Sequence, residues 1–419
     1  MSWRRVVLTA AIAAAAGCAA IHRPPTTVAA LQATAAATRA AYAATIDGLI
    51  EGLTRRLAVR GDRTLDILLL SGGGQNGAYG AGFLRGWRAR TDDDTMPRFD
   101  LVTGVSAGAL QAPFAIVDTP EAFDESAELF QNAAREFSPR FDWWSWLRRT
   151  GGVADVSRFR KTVARVLDAD LQSKLVAEFD ADRHLVVATT DFDLGIGRAW
   201  DLGHEMGRTP DGLPRARSIL MASSAIPGIF PPVVIDGHVH ADGGVISNVF
   251  VPLEFADYQA LIARARAAGI SGEVTVRVWV VMNLWAYPKI AVTNPASRGG
   301  MNSRAISLLL ASQQPQIVDH LRDVARAVST GVPGIRLEVR ATAIPSTLAD
   351  EPGADKLFDE VWMRRLEQFG YDRARGAAPW DDFIAPYARP GGGDDQGIVV
   401  SIVNDIGTFS WPTSKTRMQ

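Results

Sequence analysis

The chain has 419 residues, 47% of them hydrophobic, and its 46 acidic and 44 basic side chains leave a formal net charge of −2. So even a balance offers no general attraction to polyanions, which excludes nucleic acid as an expected partner, while the apolar fraction is ample for a large core. The single cysteine excludes an intrachain disulfide.

At the N-terminus, Arg4 and Arg5 precede an apolar run from Val6 to Ala16 and then Gly17-Cys18. This is the layout of an export signal, and it is shorter than the roughly 20 residues a membrane-spanning helix needs. Ala16-Gly17-Cys18 resembles a bacterial lipobox. The resemblance implies a signal peptide over 1–17, removed to leave Cys18 as a diacylated N-terminus and membrane anchor. It also implies, with no Asp at position 19, an outer-membrane lipoprotein facing the periplasm; without lipidation the product is periplasmic or secreted. Residues 18–63 join this anchor to the rest. Within them Tyr42, Ile46, Leu49, Ile50, Leu53 and Leu57 recur at three- and four-residue spacings, predicting an amphipathic helix that either packs on the domain or serves as a stalk.

Leu65 to Leu70 reads as a buried strand running into Ser71-Gly72-Gly73-Gly74-Gln75-Asn76-Gly77. A glycine-rich strand-to-helix turn exposes backbone N–H groups at the positive end of a helix and suits an oxyanion. Gly72, Gly74 and Gly77 also fit G-x-G-x-x-G, with Asp92 following 20 residues after Gly72, so a dinucleotide-binding turn is an alternative. Against it, Asp92-Asp93-Asp94 sits in a polar turn, whereas a ribose-binding acid should close a second strand.

A second strand, Phe99 to Thr103, leads into Gly104-Val105-Ser106-Ala107-Gly108, which is G-x-S-x-G after an apolar run. That is the arrangement of a nucleophile elbow, in which a serine hydroxyl stands at the top of a sharp strand-to-helix turn between residues without bulk. Further on, Phe141, Trp143, Trp144 and Trp146 cluster among arginines, either as core packing or as a membrane-facing lip. Asp191 and Asp193 lack the ligand series of a calcium loop and read as a hairpin turn. His184 to Thr190, Val233 to Ile235 and Val274 to Met282 are strand-like, and Arg158 to Leu167 and Tyr258 to Ala268 helix-like. Such alternation favours a sheet with helices on both faces. Val233 to Gly244 reads as a hairpin ending in Asp242-Gly243-Gly244, by itself a turn signal.

Taken together, the glycine loop, G-x-S-x-G and D-G-G resemble the patatin-like phospholipases. Met221 to Pro232 is similar to that family's Ala/Ser-rich helix and Phe-Pro-Pro loop, and Phe358 to Trp380 to its C-terminal helix and Gly-Tyr segment. The resemblance implies a three-layer α/β/α sandwich with a mainly parallel central sheet over 64–385; it does not reach the tail 386–419, where the apolar run Ile398 to Val403 reads as a possible last strand. It further implies a serine hydrolase of lipid or phospholipid esters in which Ser106 is the nucleophile and Asp242 its proton acceptor, with no cofactor and no metal. Backbone N–H groups of Gly73 and Gly74 are then the expected oxyanion donors, Gly72 and Gly77 shape the turn, and Gly104, Gly108, Gly243 and Gly244 shape the elbow and the aspartate turn. One position departs: much of the family carries Arg or Lys where this chain has Asn76, which bears on head-group preference. A Ser-His-Asp triad on an α/β-hydrolase is the alternative, with His320 the one histidine following Asp242 in the required order.

Overall fold

The computed structural model describes residues 21, 23–137, 140–141, 151–207, 211–288, 290–356 and 358–381. Cys18, the Trp143, Trp144 and Trp146 cluster and the Ile398 to Val403 segment lie outside them.

Eight strands form the central sheet: β1 (Thr64–Leu70), β2 (Leu101–Val105), β3 (His184–Asp191), β4 (Ile196–Asp201), β5 (Val233–Ile235), β6 (His238–Asp242), β7 (Val274–Trp285) and β8 (Ile335–Ile344). Strands β8, β7, β1, β2 and β3 run parallel in that order, and β4, β5 and β6 add antiparallel pairings. Parallel strands buried on both faces read as continuous apolar runs, as Leu65 to Leu70 does. Its side chains alternate between two cores: Leu68 and Leu70 pack in one, Leu65, Ile67 and Leu69 in the other. The fold is therefore the expected three-layer α/β/α sandwich.

The helices that matter for the site are α1 (Val28–Arg60), α2 (Gly77–Arg88), α3 (Ala107–Val117), α4 (Gly212–Ser223), α5 (Arg298–Gly331) and α6 (Glu360–Arg375). The second half of α1 is part of the domain, since Leu49, Leu53 and Leu57 are buried in the core they share with β1 and β7. Its C-terminal turn is pinned by ion pairs from Arg56 and Arg60 to the fully buried Asp100, and from Arg60 to the fully buried Asp66. Against the opposing effect of burial, its hydrogen bond to Asp62 and the Asp100 and Asp66 carboxylates hold the Arg60 guanidinium well above its ordinary range.

On the other face, α6 crosses α2 at backbone contact. A Cβ on Gly82 would stand 1.9 Å from the Glu367 carbonyl oxygen, and one on Gly370 2.2 Å from that of Tyr79. The segment resembling the family's C-terminal helix thus packs directly on the helix that begins at the glycine loop.

Candidate active site

The elbow forms because β2 stops at Val105 and α3 starts at Ala107, leaving one residue to reverse the chain. Ser106 takes φ 51° and ψ −118°, a backbone state that costs a non-glycine residue on the order of 1–3 kcal/mol and persists only where its surroundings enforce it. Here they do. The Ser106 N–H donates to Ser223 Oγ at 2.9 Å, and Ser223 Oγ donates to the Ala188 carbonyl at 2.7 Å. Gly108 lets α3 approach β1, because a Cβ there would lie 2.4 Å from the Leu70 oxygen.

Sheet register brings Asp242 to the serine. The last pair of β2 with β3 is Val105 with Ala188, and the next residue of β3, Thr189, pairs with Asp242 of β6. Since β4 occupies the other edge of β3 over the same residues, β6 takes over the edge that β2 vacates at the elbow. Val105 and Asp242 are therefore successive neighbours of one strand, and Ser106 follows Val105 at the top of that edge. The Asp242 N–H donates to the Ala225 carbonyl at 3.0 Å, tying the strand to the loop after α4.

The Asp242 carboxylate accepts from the Gly244 N–H at 2.8 Å and shares the cavity lining with Ser106. Burial pushes its carboxyl up to about 6, the neighbouring Ser106 hydroxyl and the Gly244 N–H pulling the other way. A buried carboxylate with no cation beside it among the described residues is a stronger base than a free one, and at about pH 6 it is half ionised, so at neutral pH it is still mostly ionised.

The glycine loop closes the third side. Gly72 is engaged, its N–H donating to the Asn248 carbonyl at 3.0 Å, and the Gly77 N–H is used within the turn. The N–H groups of Gly73 and Gly74 meet no acceptor among the described residues. Gly74 has φ 57° with nothing within 4 Å of a would-be Cβ, so the left-handed backbone calls for glycine there, whereas at Gly73 a Cβ would stand 1.9 Å from the Asn283 oxygen. A cavity of 460 Å³ opens over these groups, lined by Gly73, Gly74, Ser106, Asp242 and Asn248 among others. On the far side of Ser106 a narrow apolar cleft is walled by Leu110, Phe130, Phe137, Phe159 and Phe230.

Three polar residues were invisible as site residues in the sequence. Asn248, buried, accepts from and donates to Gly72 and reaches toward Gly244. Asn283 spans Ser71, Gly80 and Gln111, holding the glycine loop from beneath. Ser223 clamps the elbow. The one available signal was a lone polar residue amid apolar neighbours, as at Asn283 between Met282 and Leu284.

Other expected features fall into place around this centre. Asn76 is buried and its Oδ1 accepts from Trp362 Nε1 at 3.1 Å, so the departing position braces α6 rather than facing solvent. No histidine lines the cavity among the described residues: His184 contacts Asp201, His238 contacts Asp191, His240 contacts Thr189, and His320 contacts Glu254. Burial pushes the His240 imidazole down to about 4, which keeps it neutral. Asp92 pairs with Arg90 in an exposed turn, not at a strand end. Asp191, Asp193 and His238 stand close enough to share a cation, but Asp191 Oδ1 caps the β3–β4 turn, its Oδ2 meets His238 and Arg198, and Asp193 meets Arg23. Each donor already has a protein partner.

Residues 68–257 match the family model of the patatin-like phospholipases. The chain is 27% identical over 189 residues to the cGAMP-activated phospholipase of Pseudomonas aeruginosa, an overlap of 44% of this chain and 54% of that protein, so it spans about half the length of that curated relative. Among solved structures it overlays VipD from Legionella pneumophila with a TM-score of 0.32 and 11% identity, covering 74% of this chain and 66% of the other.

Proposed function

Residues 68–257 of this chain are a patatin-like phospholipase domain, and on that premise we propose that the protein is a serine acyl hydrolase of lipid esters working through a Ser106–Asp242 dyad. The single observation that carries this reading is the register that makes Val105 and Asp242 successive neighbours on one edge of β3, so that Ser106, the residue after Val105, and Asp242 face the same cavity.

In this mechanism Asp242 accepts the hydroxyl proton as Ser106 Oγ attacks the ester carbonyl. The N–H groups of Gly73 and Gly74 hold the oxyanion, with the N-terminus of α2 behind them. As the tetrahedral intermediate collapses, the leaving alcohol takes the proton from Asp242. Water, deprotonated by the same carboxylate, then releases the acyl group from Ser106. The phenylalanine-walled cleft suits the acyl chain, and the wider cavity suits the alcohol portion. We also propose that the mature protein is a lipoprotein held by acyl chains on Cys18 at the outer membrane. Among the described residues no helix is long and apolar enough to cross a membrane.

The test is covalent labelling with a fluorophosphonate followed by peptide mapping, because only an activated serine facing oxyanion donors reacts quickly. Modification at Ser106, lost in Asp242→Asn, is the expected result; labelling elsewhere, or none in folded protein, overturns the reading. Mass spectrometry of the mature N-terminus tests the anchor, which an unmodified start beyond residue 18 would remove.

A further inference from the structure

Helix α1 lies alongside β3 and runs against it. Near its C-terminal end, Gly52 packs on the ring of His184, the first residue of β3; near its N-terminal end, Thr34 meets His238 at 3.4 Å beside the β3–β4 hairpin. Eighteen helical residues rise about 27 Å, and the nine-residue step from His184 to Asp193 spans about 30 Å, so the two contacts agree on an antiparallel course. Arg23 continues the path, pairing with Asp193 at 2.8 Å and donating to the Gly237 carbonyl.

The described chain therefore begins at the carboxyl end of the parallel strands, the end that carries Ser106 and the cavity. Helix α5 has the same sense: Gln313 accepts from the Asn248 N–H at the cavity, and Val318, Leu321 and Val328 descend into the core toward the start of β8. Its first turns project past the sheet at that end.

Six of the exposed large apolar side chains among the described residues lie at that end. Val245 lines the cavity; Ile246 lies 3.6 Å from a would-be Cβ on Gly197, against the hairpin whose tip carries Phe192. Ile290 and Val292 follow the end of β7, and Met301 sits in the first turn of α5. Phe192 is 46% exposed, Ile246 48% and Ile290 66%. A set of large apolar residues around a site mouth marks an interaction surface rather than scatter.

We propose that this face, around the cavity mouth at the carboxyl end of the sheet, docks on a phospholipid bilayer, and that α1 holds it toward the membrane from which the N-terminal segment arrives. The occupant is a bilayer and not a protein because the described chain reaches this end only a few residues after Cys18, the position that the lipoprotein reading anchors in the membrane. The inference rests on the lipid-ester reading of the cavity and adds where that substrate is met: in the membrane the protein is attached to.

The test uses the chain from residue 18 with Cys18→Ser, so that acylation does not dominate, and vesicles of phosphatidylethanolamine and phosphatidylglycerol. The triple variant Phe192→Ser, Ile246→Ser, Val292→Ser should partition onto vesicles about tenfold more weakly while cleaving a soluble short-chain ester at the parent rate. Val59→Ser, an exposed valine at the opposite end of α1, should bind as the parent does. Unchanged binding in the triple variant, or an equal loss in Val59→Ser, overturns the docking face. If binding falls as expected but the parent cleaves no ester, the docking face stands and the hydrolase reading fails.

Discussion

At the scale of single residues, the chemistry turns on one carboxyl held near 6 by burial. If Asp242 is the base, the kcat/KM for a soluble ester falls about tenfold per pH unit below roughly 6 and is flat above it. Replacing His240 by Asn should leave that midpoint in place, and a midpoint that moves would reassign the base. Ser106→Ala and Asp242→Asn should each lose at least about a thousandfold in rate. The same shift has a second consequence. The folded chain holds the Asp242 proton more tightly than the unfolded chain, so the stability linked to this group is fully present below about 3.8 and is lost as pH rises through about 6. Asp242→Asn should accordingly stabilise the protein at about pH 7.5, by on the order of 2 to 3 kcal/mol, with the gain shrinking toward pH 5. Urea midpoints at the two pH values measure it, and an equal or negative effect at both would contradict a buried, uncompensated carboxylate.

At the scale of elements, the site depends on how closely three segments approach. Helix α6 sets the height of α2, and with it the glycine loop, through glycines in backbone contact and through Glu367, which receives Arg85 and Gln131 from the opposite side. Gly370→Ala should force the helices apart at a cost of about 1–3 kcal/mol. Because Trp362 of α6 donates to Asn76 in the loop, that variant should also lower kcat more than it raises KM; a pure loss of stability with normal kcat would show that the loop does not feel α6.

Over the whole molecule, α1 is both core and strut. A chain starting at residue 61 discards Leu49, Leu53 and Leu57 together with Ile46 and Ile50, an apolar burial worth on the order of 10 kcal/mol, comparable with the whole stability of a domain. It should not fold. A chain starting near residue 36 keeps all five and should unfold cooperatively within a few degrees of the parent, while losing the Arg23 and Thr34 contacts to the hairpins beside the site. Thermal unfolding followed by circular dichroism separates the two; a folded chain from 61 would mean that α1 is only a tether.

Much of this was legible in the linear chain, for reasons that are local. Continuous apolar runs marked β1, β3 and β7; glycine before and after Ser106 marked the elbow, because only residues without bulk permit that turn; and the spacing of Ile46 to Leu57 marked the buried face of α1. The strand ending in G-x-S-x-G was placed at Phe99 to Thr103 and forms two residues later, at Leu101–Val105. Strand β8 went unrecognised: Ile335 to Ile344 is interrupted by Arg336, Glu338 and Arg340, which a sheet edge tolerates and a buried strand does not. What the chain by itself determined was the set of motifs and the fold class, since both follow from backbone permissiveness and hydrophobic period. What only the tertiary structure decided was the pairing. That β6 continues the edge left by β2, that Ser223, Asn248 and Asn283 converge on the loop and elbow from distant segments, and that α1 begins at the end of the sheet that carries the cavity are long-range matters of register and packing, to which no local pattern of side chains is bound.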